Sequence, residues 1–148
     1  HDDQHGTAII TCAALINAVD IAKKDIKKIK VVVNGAGASA MACANLFKKT
    51  GVLHNNLTMI DRKGVIYKGR KGLNKWKLNH AIKTKNRTLN DAIKNYDPLT
   101  FQVYDHRGNE NAVHQVVVIN AFYNADNQQL VVVFVVHYSA AVRYFVPA

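Results

Sequence analysis

Residues 31–40 read Val31-Val32-Val33-Asn34-Gly35-Ala36-Gly37-Ala38-Ser39-Ala40. An apolar run that ends in closely spaced glycines and then turns amphipathic predicts a strand, a tight turn and a helix. Gly35 can adopt backbone angles closed to other residues, and Gly37 has no side chain to hold a phosphate away from the main chain. The segment therefore predicts that a pyrophosphate binds at the start of the helix, where the helix dipole favours negative charge.

A second strand-like run, Leu57-Thr58-Met59-Ile60, ends in Asp61. A dinucleotide-binding fold places its ribose-binding acid at about this distance after the glycines, and Ala40 is an accepted variant of the third glycine. The alternative is that the glycines only form a turn between a strand and a helix. The residues predicted to bind the cofactor are Gly35, Ala36, Gly37, Ala38, Ser39, Ala40, Asp61 and Arg62.

Two neighbouring residues predict opposite cofactor preferences. A carboxylate at Asp61 accepts hydrogen bonds from the ribose hydroxyls and repels the 2′-phosphate of NADP, whereas the guanidinium of Arg62 can bind that phosphate. A partly solvated ion pair contributes only about 1 kcal/mol, so we expect the carboxylate to dominate. The predicted cofactor is NAD, preferred over NADP by about tenfold.

The composition predicts a single domain with an uneven charge. The 148 residues carry a formal charge of +10, and eighteen of the twenty lysines and arginines lie between Lys23 and Lys94. Such a run is usually a solvated face, although it also attracts anionic partners. A basic nucleic-acid-binding domain is a disfavoured alternative, because interleaved aromatics and a recognition motif are missing.

The cysteines and the apolar runs indicate in which cellular compartment the protein is expected. Cys12 and Cys43 lack C-x-x-C spacing and are expected to be small core residues of a reduced, cytoplasmic protein. The sequence shows no signal peptide, and its longest apolar run, Leu130 to Val136, is too short to span a bilayer. We therefore expect no membrane partner.

Helical patterns flank the first strand. Apolar residues from about Thr7 to Lys24 cover most of a helix's circumference, which predicts a largely buried helix. A second helix is predicted from Ser39 to Lys49, ending at Gly51 in the usual C-cap position.

Shorter features follow Asp61. Glycines at both ends of residues 64–69 favour a surface hairpin. The basic segment from Gly72 to Asn86 contains the only tryptophan, Trp76, which we expect to anchor this segment to the body of the protein rather than to stack on a base. Residues 88–94 are typical of a capped short helix.

Residues 1–97 resemble the NAD-binding domain of the malic enzymes, in the bacterial branch. Four separated motifs carry the resemblance in the order the family has them: His1-Asp2-Asp3-Gln4-His5-Gly6-Thr7-Ala8, then Asn34-Gly35-Ala36-Gly37-Ala38, then Asp61-Arg62-Lys63-Gly64 with Lys68-Gly69-Arg70, and finally Gly72-Leu73-Asn74 with Asp91-Ala92-Ile93-Lys94. The resemblance implies oxidative decarboxylation of malate to pyruvate with NAD or NADP and Mg²⁺ or Mn²⁺. It also implies a homo-oligomer, or a fragment of a larger polypeptide.

The resemblance assigns roles to two acids. Asp3 is similar to one of three carboxylates that bind the divalent metal, and Asp2 to the acid that supports the catalytic lysine. Hard divalent cations prefer such oxygen ligands. Without the resemblance, both acids are equally well explained as ordinary residues at a helix start. The catalytic tyrosine, the lysine and the other two metal-binding acids precede this signature in the family, so this chain is expected to be at most the cofactor-binding part of the enzyme.

Beyond Asp97 the resemblance reduces to an outline, meaning that only the order and lengths of the family's elements still fit. This leaves two interpretations of residues 98–148. The outline places a strand at Leu99–Val103, a helix at Asn111–Tyr123 and another strand at Leu130–Val136. The β-branched residues 116–119 are poorly suited to that helix. The alternative is a β-rich unit with strands near 100–104, 113–123 and 130–138.

The alternation of strands and helices predicts an α/β fold, a doubly wound (Rossmann-type), mostly parallel sheet with flanking helices, possessing either a truncated or a partly β-rich C-terminal third. We expect a single dinucleotide-binding domain over residues 1–148, of which residues 1–97 are the better supported. The leading functional alternative is a non-catalytic module that binds NAD or another nucleotide.

Overall fold

The computed structural model describes residues 2–94, 97–99, 115–124 and 129–138, with side chains described for residues 5–94 and for Val132. Helices and strands alternate through the first half, and strands follow. The helices are α1 (Asp2–Ile21), α2 (Ala38–Thr50), α3 (Lys75–Leu78) and α4 (Leu89–Ile93), with a 3₁₀ turn at His54–Asn56; the strands are β1 (Lys30–Asn34), β2 (Leu57–Asp61), β3 (Gly64–Val65), β4 (Asp97–Leu99), β5 (Gln115–Asn124) and β6 (Gln129–Tyr138).

The strands form one six-stranded sheet in the order β3-β2-β1-β6-β5-β4. Its centre is parallel, because β1 pairs in parallel with β2 on one side and with β6 on the other, placing Val31 opposite Leu57 and Val132. The pairs toward both edges are antiparallel. The expected α/β sheet is therefore present, with its parallel part confined to three strands.

Side chains of β1 alternate between two buried layers. Val31 and Val33 pack on one face with α1 and α2, whereas Val32 packs on the other face near Ala92 of α4. A strand covered on both faces needs apolar residues at successive positions. This explains the uninterrupted valines of β1 and confirms that helices flank both faces of the sheet.

Helix α1 packs on α2 through one face only. Ala8, Cys12, Leu15 and Val19 are buried, and they follow the spacing of one helical stripe. Ile9 and Ile16 lie outside that stripe and are 63% and 47% exposed, and Ile21 is 69% exposed. The prediction of a largely buried helix is therefore wrong, since the second apolar face of α1 has no cover among the described residues.

Helix α2 ends as predicted. Gly51 has a φ of 129°, a conformation that glycine adopts readily, and its N–H reaches the carbonyls of Phe47 and Lys48.

The short helix α4 also begins as predicted. Thr88 accepts a hydrogen bond from the N–H of Asp91, while the carboxylate of Asp91 accepts one from the N–H of Thr88.

The hairpin after Asp61 is only partly as predicted. Strand β3 turns back against β2 and pairs Asp61 with Gly64. Val65 and Ile66 are, however, buried at 1% and 0% exposure. The prediction of a surface hairpin is wrong on this point, because its apolar residues extend both core layers.

The C-terminal strands distinguish the two interpretations of that region. Residues 115–124 form β5, so the helix of the outline at Asn111–Tyr123 is wrong where the structure describes it. Strands β5 and β6 pair over their whole length, from Gln115 with Tyr138 to Asn124 with Gln129. This confirms the β-rich alternative for two of its strands, whereas its first, near residues 100–104, lies outside the described residues.

Candidate dinucleotide-binding site

The turn between β1 and α2 depends on glycine at one position. Gly35 has a φ of 140°, which side-chain-bearing residues rarely adopt. Its N–H donates to the carbonyl of Ile60 at 2.8 Å. The turn is thereby attached to the end of β2, next to Asp61.

Gly37 begins α2 in an ordinary conformation. Its φ is −82° and its ψ −178°, and its carbonyl accepts the N–H of Met41 at 3.0 Å. The helix has neither a side-chain cap at Gly37 nor an acidic residue in its first turn. An anion at this helix start would therefore meet the positive end of the helix dipole without a competing carboxylate.

The space beside Gly37 is open. A Cβ built on Gly37 would meet no atom of the described structure within 4 Å. The fold itself tolerates a side chain here, so the value of glycine at this position lies in leaving room for a ligand to approach the backbone. Ser39 and Ala40 are buried in the first turns of α2, where their small side chains permit close packing.

A cavity of about 730 Å³ opens from this turn. One wall is the glycine turn with the adjoining face of α2, the second is the start of α1, and the third is the short helix α3 with its cap. Its lining includes His5 and Ile9 from α1, Gly37 and Met41 from the turn and α2, and Asn74 and Trp76 from the third wall. The glycine turn and the start of α1 thus belong to the same site.

Asp61 lies at the end of β2 and is paired with two cations. Nη2 of Arg70 donates to its oxygens at 2.7 and 2.8 Å, and Nζ of Lys77 donates to Oδ2 at 2.6 Å. The N–H of Lys63 donates to Oδ1 at 2.9 Å. The side chains of Asp61 and Arg70 are each only 10% exposed, and that of Lys77 is 25% exposed.

The balance of these contacts keeps Asp61 ionised. Desolvation by burial raises the pKa of this carboxyl, but the hydrogen bonds from Lys77, Arg70 and the N–H of Lys63 lower it more, to about 2. The carboxylate is therefore charged at neutral pH, and its charge is more than balanced by its two cationic partners.

Arg70 also holds the hairpin. Its Nη1 donates to the carbonyls of Gly64 and Val65 at 3.0 and 2.9 Å. Its two guanidinium nitrogens therefore bind main-chain and carboxylate oxygens together. Lys77 makes no such second contact among those described, which leaves it the freer cation of the two to meet a ligand. Arg62 lies exposed in the β2–β3 turn.

The structure brings most of the predicted site residues together. Gly35 to Ala40 form the turn and the start of α2, and Asp61 ends the adjacent parallel strand. Arg70 and Lys77, the partners of Asp61, were not predicted from the sequence. The only signal for Arg70 was its place in the Lys68-Gly69-Arg70 motif of the family resemblance, whereas Lys77 had no signal of its own.

The acids at the chain start lie in the first turn of α1. The side chains of Asp2 and Asp3 are outside the described part, so their roles stay predictions. His5, one turn further on, lines the cavity together with Gly37. Within residues 5–94, no three side chains of His, Cys, Asp or Glu come together in a way that could hold a metal ion.

Trp76 does not have the predicted position. It is 61% exposed, so the expectation that it anchors its segment to the protein body is wrong. The segment is instead fixed by polar contacts. Nζ of Lys77 donates to Oδ2 of Asp61 at 2.6 Å, and the carbonyl of Asn79 accepts from Nζ of Lys48 at 3.4 Å.

A glycine turn between a strand and a helix, with an acid ending the neighbouring parallel strand, defines a Rossmann-type dinucleotide-binding domain. Sequence comparison identifies which one. The model of the family described as malic enzyme, NAD-binding domain, matches residues 4–117, and the chain belongs to that family. The resemblance found from the motifs is thereby confirmed.

Individual relatives agree with this assignment. The chain is 53% identical over 97 residues to the NADP-dependent malic enzyme of Halomonas elongata, covering 66% of this chain and 23% of that protein. It is 47% identical over 98 residues to the NAD-dependent malic enzyme of Rhizobium meliloti, covering 66% of this chain and 13% of that protein. The crystal structure of the NAD-dependent malic enzyme of Thermotoga maritima matches with a TM-score of 0.57 at 33% identity, covering 64% of this chain and 26% of that one.

These matches show how much of a malic enzyme the chain covers. It spans less than a quarter of either curated relative, and the matched part is the cofactor-binding portion of the family. The relatives include enzymes named for each of the two cofactors. Among the described residues, no helix combines the length and apolarity that crossing a bilayer would require.

Proposed function

We propose that this chain binds a nicotinamide dinucleotide at the glycine turn and serves as the cofactor-binding part of a malic enzyme. The observation that supports this most directly is the open space at Gly37 at the start of α2. A helix start without a capping side chain or an acidic first turn is suited to the pyrophosphate, and Asp61 next to it is suited to the adenosine ribose.

The whole reaction proposed is oxidation of malate to enzyme-bound oxaloacetate, followed by decarboxylation to pyruvate. When bound, the nicotinamide accepts the hydride and a divalent cation supplies Lewis acidity. The residues of this chain would hold and orient these groups: the turn at Gly37 binds the cofactor, Asp3 supplies one oxygen ligand to Mg²⁺ or Mn²⁺, and Asp2 supports the catalytic lysine. The start of α1 lies at the same cavity as Gly37, which supports a shared site.

The remaining catalytic groups must come from another part of the enzyme. A general base and acid and two further metal-binding carboxylates are needed beside Asp3. We therefore propose that malate and pyruvate are the substrate and product of the completed enzyme, a homo-oligomer in which this chain forms one portion. Cys12 and Cys43 are free and buried, which supports the proposal that it works in the reducing cytoplasm.

The choice between NAD and NADP depends on Asp61. The predicted tenfold preference for NAD rested on an unpaired carboxylate that would repel the 2′-phosphate. In the structure, Arg70 and Lys77 compensate this charge, so we propose that NAD is still preferred but by less than tenfold. Lys77 can turn from Asp61 toward a 2′-phosphate while Arg70 keeps the carboxylate paired.

The experiment that tests dinucleotide binding is calorimetric titration of the 148-residue chain and its Gly37→Val variant with NAD. A valine side chain would occupy the space of the pyrophosphate without contacting any described atom from its Cβ. We expect binding by the unchanged chain and none by the variant, with the same circular dichroism for both. Equal affinity in the two proteins would show that the glycine turn is not the site.

A further inference from the structure

Trp76 is exposed at a place where a ligand is expected. It is the only tryptophan of the chain, it is 61% exposed, and it lines the same cavity as Gly37. A large aromatic side chain at a binding cavity offers a flat apolar surface to a ligand ring. Leu78, on the same short helix, is 54% exposed but does not line the cavity.

The surrounding contacts fix where Trp76 lies. Its neighbour Lys77 contacts Asp61 at 2.6 Å, and Asn74 caps the helix that carries both residues. Trp76 therefore lines the cavity that opens from the glycine turn, where the pyrophosphate is proposed to bind, and its chain neighbour Lys77 contacts Asp61, which is proposed to bind the adenosine ribose. The base attached to that ribose is adenine.

We propose that the indole of Trp76 stacks on the adenine ring of the bound dinucleotide, an inference that rests on the proposed function. Every base has a flat face on which an aromatic side chain can stack, so stacking needs only two flat faces. Nζ of Lys75 lies 4.8 Å from the indole centroid, and Lys75 does not line the cavity. A cation over one face of the ring leaves the other face to the base. Ile9 and Met41 supply apolar surface in the same cavity.

The intrinsic fluorescence of the chain tests this directly, because every tryptophan signal comes from Trp76. We expect titration with NAD or AMP to quench the emission, and nicotinamide mononucleotide at the same occupancy to leave it unchanged. Quenching by nicotinamide mononucleotide and not by AMP, or equal quenching by both, would overturn the adenine assignment.

Affinity provides the second test. We expect Trp76→Ala to weaken NAD binding about tenfold, which corresponds to about 1.4 kcal/mol, and Trp76→Phe to retain affinity within about threefold because a flat ring remains. Leu78→Ala is the matched control, since it removes an equally exposed side chain outside the cavity, and it should bind NAD like the unchanged chain. Circular dichroism checks that all three variants fold.

The outcomes separate this inference from the proposed function. If the unchanged chain binds NAD and Gly37→Val does not, but Trp76→Ala binds normally, stacking is wrong and the site stands. If the unchanged chain does not bind NAD, the proposed function fails and the stacking inference fails with it. If Trp76→Phe loses as much affinity as Trp76→Ala, the aromatic face is not what the ligand contacts, and the inference is overturned.

Discussion

Nζ of Lys77 lies 2.6 Å from Oδ2 of Asp61, and this ion pair joins the end of β2 to the short helix α3. The other side of the same carboxylate is held by Arg70. One negative and two positive groups therefore meet where the adenosine ribose of a dinucleotide is proposed to bind. We expect the balance of these charges to determine how tightly the 2′-phosphate of NADP binds.

Replacing Lys77 by Met tests that role. We expect the variant to bind NADP about tenfold more weakly, since a partly desolvated contact between a cation and a phosphate is lost. Binding of NAD should be unchanged or tighter, because the carboxylate becomes more available to the ribose hydroxyls. Dissociation constants for both cofactors at two salt concentrations measure this, with Lys71→Met, at an exposed position nearby, as the control. Equal losses for NAD and NADP would show that Lys77 only maintains local structure.

A second prediction concerns the two glycines of the turn. Gly35→Ala should lower the free energy of unfolding by about 1–3 kcal/mol, because its φ of 140° is strained for any residue with a Cβ. Gly37→Ala should change it by less than about 0.5 kcal/mol, since its φ of −82° is ordinary and its Cβ would be uncrowded. Urea unfolding of both variants measures the difference. Similar losses at both positions would contradict the separate roles assigned to them.

These two glycines also show what sequence could and could not predict. The strand, the turn and Asp61 follow from local patterns: valines suit a strand covered on both faces, and Gly35 suits the angle of the turn. The partners of Asp61 follow from tertiary structure. Lys77 lies sixteen residues further along, and only the path of the intervening chain, with Asn74 capping α3, brings its Nζ to the carboxylate.

The remaining differences have a similar cause. The sequence of α1 is apolar on most sides, but burial depends on whether another element covers each side, and the described residues cover α1 mainly through α2. Trp76 was expected to anchor its segment to the body of the protein, yet it is exposed and lines a cavity. The β-branched residues 116–119 favour a strand, and they lie in the strand β5. Their strand propensity therefore predicted the structure better than the family outline, which placed a helix there.

A third prediction is a loss of stability in mild acid that depends on His80. This side chain is 2% exposed, and its Nδ1 has no hydrogen-bond partner among the described residues. Burial, with the nearby positive groups Lys48 and His54, lowers the pKa of His80 to about 4 from 6.5. The unfolded chain therefore takes up a proton below pH 6.5 that the folded chain does not accept until about pH 4.

It follows that stability is full above pH 6.5 and falls as the pH drops to 4, by about 3 kcal/mol. Asp61 contributes only at lower pH, since its pKa falls from 3.8 to about 2 and its stabilisation is lost as the pH drops through that range. Urea unfolding at several pH values measures the slope. His80→Phe should flatten the profile between pH 6.5 and 4. An unaltered slope in His80→Phe would show that other groups cause the acid sensitivity.

The last prediction concerns Asp3 in the completed enzyme, with the upstream catalytic part supplied. Asp3 lies in the first turn of α1, and His5 in the same helix lines the cavity with Gly37. This places the helix start at the proposed cofactor site, where a carboxylate can serve a hard divalent cation. A carboxylate at a helix start can also act merely by complementing the helix dipole, which contributes about 0.3–1 kcal/mol and is independent of metal.

The two roles give different results in Asp3→Ala. Loss of a metal ligand should lower Mn²⁺-dependent malate decarboxylation by more than about a hundredfold, while the dissociation constant for NAD stays within about twofold because the glycine turn is intact. Loss of a dipole interaction alone should lower stability slightly and leave turnover and its Mn²⁺ dependence unchanged. Asp20→Ala is the matched control, since Asp20 is an exposed acid at the other end of the same helix. Full activity of the Asp3→Ala enzyme at every Mn²⁺ concentration would show that Asp3 is only a helix-start residue, and the metal site would then have to be built without this chain.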